Sequence, residues 1–220
     1  MLQAATIKFL KALKKNNSKE WMDKHRADYE TARADFAQFI DKLIEATAKF
    51  DPTIAHLTAK ECMFRINRDI RFSANKAPYK TNMGASINMA GKKAVHNSGY
   101  YFHLEPGASF AGGGIWMPES PTLKKIRQEI DYNFNDFNKI VESKIFKNTY
   151  GQLEKEFQLT RVPKGYEADN PAAYYLRFKS YIASYHISDE ELTSPTLIKN
   201  VSKSFQTLQP LIDFLNRAAE

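Results

Sequence analysis

The stretch Tyr100-Tyr101-Phe102-His103-Leu104-Glu105 decides the fold class, because its apolar and polar side chains alternate. A period of two places alternate residues on opposite faces of a strand. Phe102 and Leu104 fall on one face, and Tyr101, His103 and Glu105 on the other. Two further stretches alternate in the same way, Met63-Phe64-Arg65-Ile66-Asn67-Arg68 and, more weakly, Ala85-Ser86-Ile87-Asn88-Met89. The expected buried face pairs Phe64 and Ile66 with Ile87 and Met89; Arg65, Asn67, Ser86 and Asn88 then share the face of His103. Gly91, with Lys92 and Lys93 beside it, and Pro106-Gly107 mark turns. The run Gly112-Gly113-Gly114-Ile115-Trp116-Met117 reads as another strand, and Tyr181 to His186 as one more.

Helices are expected on both sides of this strand-rich middle. Ile7, Leu10 and Leu13 recur at helical spacing until Asn16-Asn17, and Ser18 reads as the N-cap of a helix carrying Trp21. Phe36, Phe39, Ile40, Leu43 and Ile44 form one apolar stripe on a long helix that ends before Asp51-Pro52. After Pro121 the stripe Leu123, Ile126, Ile130, Phe134, Phe137, Ile140 and Val141 predicts a further helix. Asn170-Pro171 reads as a helix start, with Asn as N-cap and Pro at the first helical position. Phe205, Leu208, Leu211, Ile212 and Leu215 predict a closing helix. The expected architecture is α+β, an antiparallel sheet in the middle of the chain flanked by N-terminal and C-terminal helices, with residues 1–220 as one domain.

Composition narrows the functional classes. The 220 residues are 43% hydrophobic and 26% charged, which is a globular balance. The single cysteine, Cys62, rules out an intrachain disulfide framework and reads as a buried, inert thiol at the start of an apolar strand rather than a nucleophile. Lysines interrupt the apolar residues near Met1, so no signal peptide is expected, and no apolar run approaches the length of a membrane span. The expected compartment is the cytoplasm, with no membrane partner. His25, His56, His96 and His186 are scattered, without zinc-ligand spacing, so no metal site is expected. Neither a P-loop, a dinucleotide fingerprint nor a nucleophile elbow is present, and Gly112–Gly114 reads as close backbone packing. Pro163-Lys164-Gly165-Tyr166 reads as an ordinary turn or as a lid carrying a cation.

Charge is concentrated in one place. Residues 60–93 hold eight Lys/Arg against two acids, while the whole chain has a formal net charge of +7. Within them lies Phe64-Arg65-Ile66-Asn67-Arg68-Asp69-Ile70-Arg71-Phe72-Ser73, continuing to Lys76-Ala77-Pro78-Tyr79-Lys80-Thr81. This run resembles the hallmark of domain-of-unknown-function family 2461, an FRI-x-RD-x-RFS-x-x-K-x-PYKT pattern. Further matches are Phe9-Leu10, the Asn16-to-Trp21 region, Gly99-Tyr100-Tyr101, Glu105-Pro106-Gly107, Gly113-Gly114 through Trp116-Met117-Pro118, Pro163 to Tyr166 and Pro210 to Leu215. The likeness covers nearly the whole chain. It implies a shared fold and brings no known reaction, cofactor or catalytic residue. The family pattern carries Asp where this chain has Asn75, and usually Ser or Thr where it has Ala77; any activity resting on that Asp is in doubt here.

Read physically, Arg65, Arg68 and Arg71 offer planar donors suited to phosphate or carboxylate. Lys76 and Lys80 flank Pro78, which stiffens their turn, and Tyr79 can stack on a base or sugar. Three readings stay open. A phosphorylated or otherwise anionic small ligand, bound by Arg65, Arg68, Arg71, Lys76, Tyr79 and Lys80, predicts a concave site, which an enzyme or a binding module could use. Nucleic-acid binding predicts an open basic stripe, with Tyr79, Tyr100 and Tyr101 as stacking groups. A scaffold whose arginines only hold the fold predicts Arg65 and Arg68 buried and paired with acids. Separately, His103 beside Glu105 is a candidate catalytic acid–base pair, since a histidine titrates near working pH.

Overall fold

The computed structural model describes residues 1–93 and 97–219; His96 lies outside the described residues. Helices come first. Helix α1 (Ala4–Lys15) buries Ile7, Leu10 and Leu13 and stops at Asn16. In α2 (Lys19–Lys24) the Ser18 hydroxyl accepts from the Trp21 N–H at 3.2 Å, satisfying an orphan donor of the first turn. Helix α3 (Arg26–Ala48) buries the whole predicted stripe from Phe36 to Ile44. Buried Asp35 joins α1 to α3 by accepting from the Gln3 N–H at 2.9 Å and the Thr6 hydroxyl at 2.5 Å.

The sheet is a four-stranded antiparallel meander of order β1-β2-β3-β4, formed by Met83–Ile87, Gly99–Leu104, Ser109–Ile115 and Tyr181–Ile187. Ala85, Phe102, Ala111 and Tyr185 stand in register across it on the face turned to the helices. There Phe102 meets Phe39 of α3 at 4.7 Å between ring centroids. Tyr100 meets Phe205 of the closing helix, α10 (Leu197–Ala219), at 4.8 Å and donates its hydroxyl to Asp51 at 3.0 Å. The opposite face carries two rows. One is Gly84, His103, Phe110 and His186; the other is Ser86, Tyr101, Gly112 and Ser184. The buried apolar side chains form a hydrophobic cluster that reaches from Leu2 to Ala218.

Several sequence expectations need correction. Residues 63–68 are not a strand: Met63 and Asn67 make isolated bridges to Ala85 and Tyr79, and the remaining bonds are irregular. Cys62 ends the short helix α4 (Ala59–Cys62), and the Met63 N–H is taken by the Ala59 carbonyl at 2.8 Å. Phe64 is not in the core but 39% exposed, and Met89, past the end of β1, is 48% exposed. Asn88 is buried, because its side-chain oxygen accepts from the Ala90 N–H and shapes the turn before Gly91. The stripe after Pro121 is split into α5 (Ser120–Tyr132) and α6 (Phe134–Val141). Asn133 ends the first and its carbonyl starts the second. Helix α7 (Lys144–Tyr150) was not expected. After Asn170-Pro171, α8 (Ala173–Leu176) begins two residues later than predicted, since Asn170 accepts from the Ala172 N–H and holds a turn first. A last short helix, α9 (Asp189–Leu192), follows β4.

Candidate functional site

The basic motif divides into cations that hold their own loop and cations that do not. Arg68 is half-buried and donates to the Ala77 carbonyl at 3.4 Å and the Ser73 hydroxyl at 3.3 Å. Arg71 grips Asp69 through two nitrogens, at 3.0 and 2.6 Å, and Lys76 donates to the Ile70 carbonyl at 3.1 Å. The Asp69 carboxyl lies below its ordinary value because of that Arg71 grip, with a smaller contribution from the charge of Arg65. These contacts close the 69–77 loop on itself and leave Phe72 at its tip, 96% exposed. At Asn75 the side-chain oxygen accepts from the Ala77 N–H at 2.9 Å. An aspartate there could accept the same bond, so the turn does not depend on which of the two is present.

Arg65 and Lys80 remain. Among the described residues, neither side chain has a hydrogen-bond or ion-pair partner. Arg65 is exposed; Lys80 is half-buried, its ammonium 5.4 Å from the centre of the Phe64 ring. Burial, and then the charge of Arg65, hold the Lys80 ammonium below the ordinary lysine range. The loop is set at this point by β-like bonds, from the Lys80 N–H to the Ile66 carbonyl at 2.7 Å and from the Arg68 N–H to the Pro78 carbonyl at 2.9 Å. Tyr79 between them is turned inward and only 7% exposed, which corrects its expected role as a stacking surface.

The second constellation lies on the neighbouring sheet face. The His103 Nε2 is 3.3 Å from a Glu105 carboxylate oxygen, and the His103 Nδ1 is 3.4 Å from the Tyr101 hydroxyl. One neutral tautomer satisfies both contacts, with Tyr101 donating to Nδ1 and Nε2–H donating to Glu105. Phe110 stacks on the imidazole at 4.8 Å. Burial pulls Glu105 upward, but hydrogen bonds from His103 and Thr81, with the Lys14 ammonium at 3.5 Å, outweigh it and hold the carboxyl below its ordinary value. Burial alone raises the Tyr101 phenol.

Phe64 links the two groups. Its N–H donates to the Gly84 carbonyl at 3.0 Å, and its ring sits 6.4 Å from that of Tyr101. Gly84 makes room for Tyr101, whose hydroxyl lies only 2.4 Å from where a Cβ on residue 84 would stand. Phe64 is thus the link between the basic segment and the sheet face: it carries the Lys80 ammonium over its ring and lies next to Tyr101, while Arg68, Arg71 and Lys76 bond within their own loop. Sequence reasoning missed Asn17, whose side chain clamps the Tyr79 backbone, and Phe64, Thr81 and Lys14 as neighbours. Their signal was faint: Asn17 and Thr81 fall inside matched family segments, and Lys14 is one of several lysines on α1.

Other candidates serve structure. His25 stacks on Trp21 at 4.0 Å, and Cys62 is buried with its thiol pushed up to about 12 by burial. A Cβ on Gly112 would stand 2.5 Å from the Ala183 carbonyl, so close strand packing accounts for glycine there. Among the described residues no group of three His, Cys, Asp or Glu could hold a metal ion, and no helix is long and apolar enough to cross a membrane.

An α+β fold with an antiparallel meander, helices before and after it, and a basic segment whose Phe64 meets a Tyr–His–Glu chain is the class these features define. The chain belongs to the DUF2461 family, described as a conserved hypothetical protein, whose model matches residues 5–214. No curated protein and no solved structure gives a match.

Proposed function

We propose that this protein binds a small anionic ligand, phosphorylated or carboxylated, at Arg65 and Lys80. The observation that carries this reading is a pair of neighbouring cations, Arg65 and Lys80, with no ion-pair partner among the described residues, Lys80 lying over Phe64 at the edge of the Tyr101–His103–Glu105 chain. Two like charges held together favour an anion that neutralises both. The adjoining chain suits proton transfer at the bound ligand. Tyr101 can take a proton from the ligand as it passes its own to His103 Nδ1, and Glu105 stabilises the imidazolium so formed.

The scaffold reading fits the way Arg68, Arg71 and Lys76 hold their own loop, but it called for Arg65 and Arg68 buried against acids. Arg68 bonds to a carbonyl and a hydroxyl instead, and Arg65 is exposed with no ion-pair partner among the described residues. Nucleic-acid binding finds less support, because Tyr79 and Tyr100 are only 7% and 1% exposed.

Thermal-shift measurements with inorganic phosphate, nucleotides, sugar phosphates, short carboxylates and short RNA or DNA test the proposal. A ligand that binds the native state raises the melting temperature by mass action. The expected result is a shift with a small anion that persists at moderate salt and disappears in Arg65→Ala and Lys80→Ala. A shift confined to polymers and abolished by salt would move the assignment to nucleic acid. No shift with any anion would end it.

A further inference from the structure

Arg65 also lines a groove of about 550 Å³ between α3 and the extended segment that follows α4. The groove is open because α3 presents Ala34 and Ala37 there, side chains too short to fill it. Its walls are mainly carbon, from Tyr29, Met63, Phe64 and Met83. The rim is cationic, with Glu30 as its one acid. Glu30 is engaged by Arg33 at 3.5 Å, and the Lys92 ammonium is engaged by the carbonyls of Lys60 and Met63 at 2.7 and 2.8 Å. Lys60 and Arg65 are the rim cations whose side chains have neither a hydrogen-bond nor an ion-pair partner among the described residues.

We infer that the ligand is an amphiphile, an acyl-type chain ending in a carboxylate or phosphate, with its charged end at Arg65 and its apolar body along the groove between Ala34 and Phe64. The inference rests on the anion-binding reading above and adds the class of molecule. Charge and shape complementarity support it together. An inorganic ion or a sugar phosphate would use the cations but leave the carbon walls in water, whereas an apolar chain removes them from it. The volume falls within the range typical of small-ligand sites. Phe64 belongs to both parts: it carries Lys80 over its ring and forms one wall of the groove.

The test is binding of butanoate, hexanoate and octanoate to the intact chain at moderate salt, followed by NMR. Affinity should rise about fourfold for each methylene the groove buries. Ala34→Trp, on the exposed side of α3, should flatten that dependence on length, and Arg65→Ala should weaken all three chains by a similar factor. If butanoate and octanoate bind equally, the amphiphile is ruled out while the anion site stands. A length dependence that survives Ala34→Trp places the chain elsewhere and also overturns the inference. If neither these chains nor inorganic phosphate binds, the anion-binding reading fails as well.

Discussion

Asn17 holds Tyr79 from both directions: its amide nitrogen donates to the Tyr79 carbonyl at 2.9 Å, and its amide oxygen accepts from the Tyr79 N–H at 3.1 Å. This pair of bonds ties the turn between α1 and α2 to the backbone immediately before Lys80, so one helix boundary positions the basic segment. Replacing Asn17 by Ala leaves a part-buried N–H and carbonyl without partners. A loss of about 1–3 kcal/mol is expected in urea unfolding. Asn17→Asp keeps the acceptor and loses the donor, and should fall between wild type and Asn17→Ala.

Gly84 and Tyr101 form a second coupled pair. A Cβ at position 84 meets the Tyr101 hydroxyl at 2.4 Å and the ring carbon bearing it at 3.1 Å. Gly84→Ala should therefore destabilise the fold by about 1–3 kcal/mol. Tyr101→Phe removes the closer of the two atoms. The double variant should consequently be more stable than the sum of the two single effects, and a double-mutant cycle measures the difference.

Glu105 gives a pH dependence of defined sign. Its carboxyl titrates below the ordinary 4.5 in the folded chain. The stabilisation is then fully present above that ordinary value and is lost as pH falls through the lower folded one. Melting curves from about pH 3 to pH 7 should show Glu105→Gln less stable than wild type at the neutral end. The gap should narrow on the acid side. A gap that widens toward low pH would contradict the arrangement around Glu105.

Cys62 should resist thiol reagents in the folded protein, since it is buried and its thiol is pushed up to about 12. Reaction with a disulfide-exchange reagent should track unfolding in denaturant. Prompt modification of the native chain would show that the end of α4 is open.

The sequence made the fold legible where periodicity and burial agree. The Phe36–Ile44 stripe and the Phe102/Leu104 alternation report real faces because α3 and β2 each pack one side against the core. Residues 63–68 alternate just as clearly, yet their backbone bonds are shared among α4, Gly84 and the Pro78–Lys80 turn, and no ladder forms. Alternation reports a strand only if a neighbour pairs along its whole length, and that neighbour is a tertiary fact. Helix α7 was hidden for a related reason: Phe146 is its one fully buried side chain, too few for a stripe. At the candidate site, residue types pointed to Arg65, Lys80, His103 and Glu105. Which cations were already engaged could not be read from spacing, because Arg68 and Lys76 bond to backbone carbonyls rather than to acids.

The most direct measurement of the central claim is the titration of Lys80, followed by side-chain NMR of labelled lysines and assigned by the signal lost in Lys80→Arg. In the free chain Lys80 should titrate below the ordinary lysine range. Saturating inorganic phosphate should move that titration upward, because a bound anion favours the charged ammonium. The movement should be reduced in Arg65→Ala. A Lys80 signal that no phosphate concentration shifts, in a chain that stays folded, would contradict an anion site at Arg65 and Lys80.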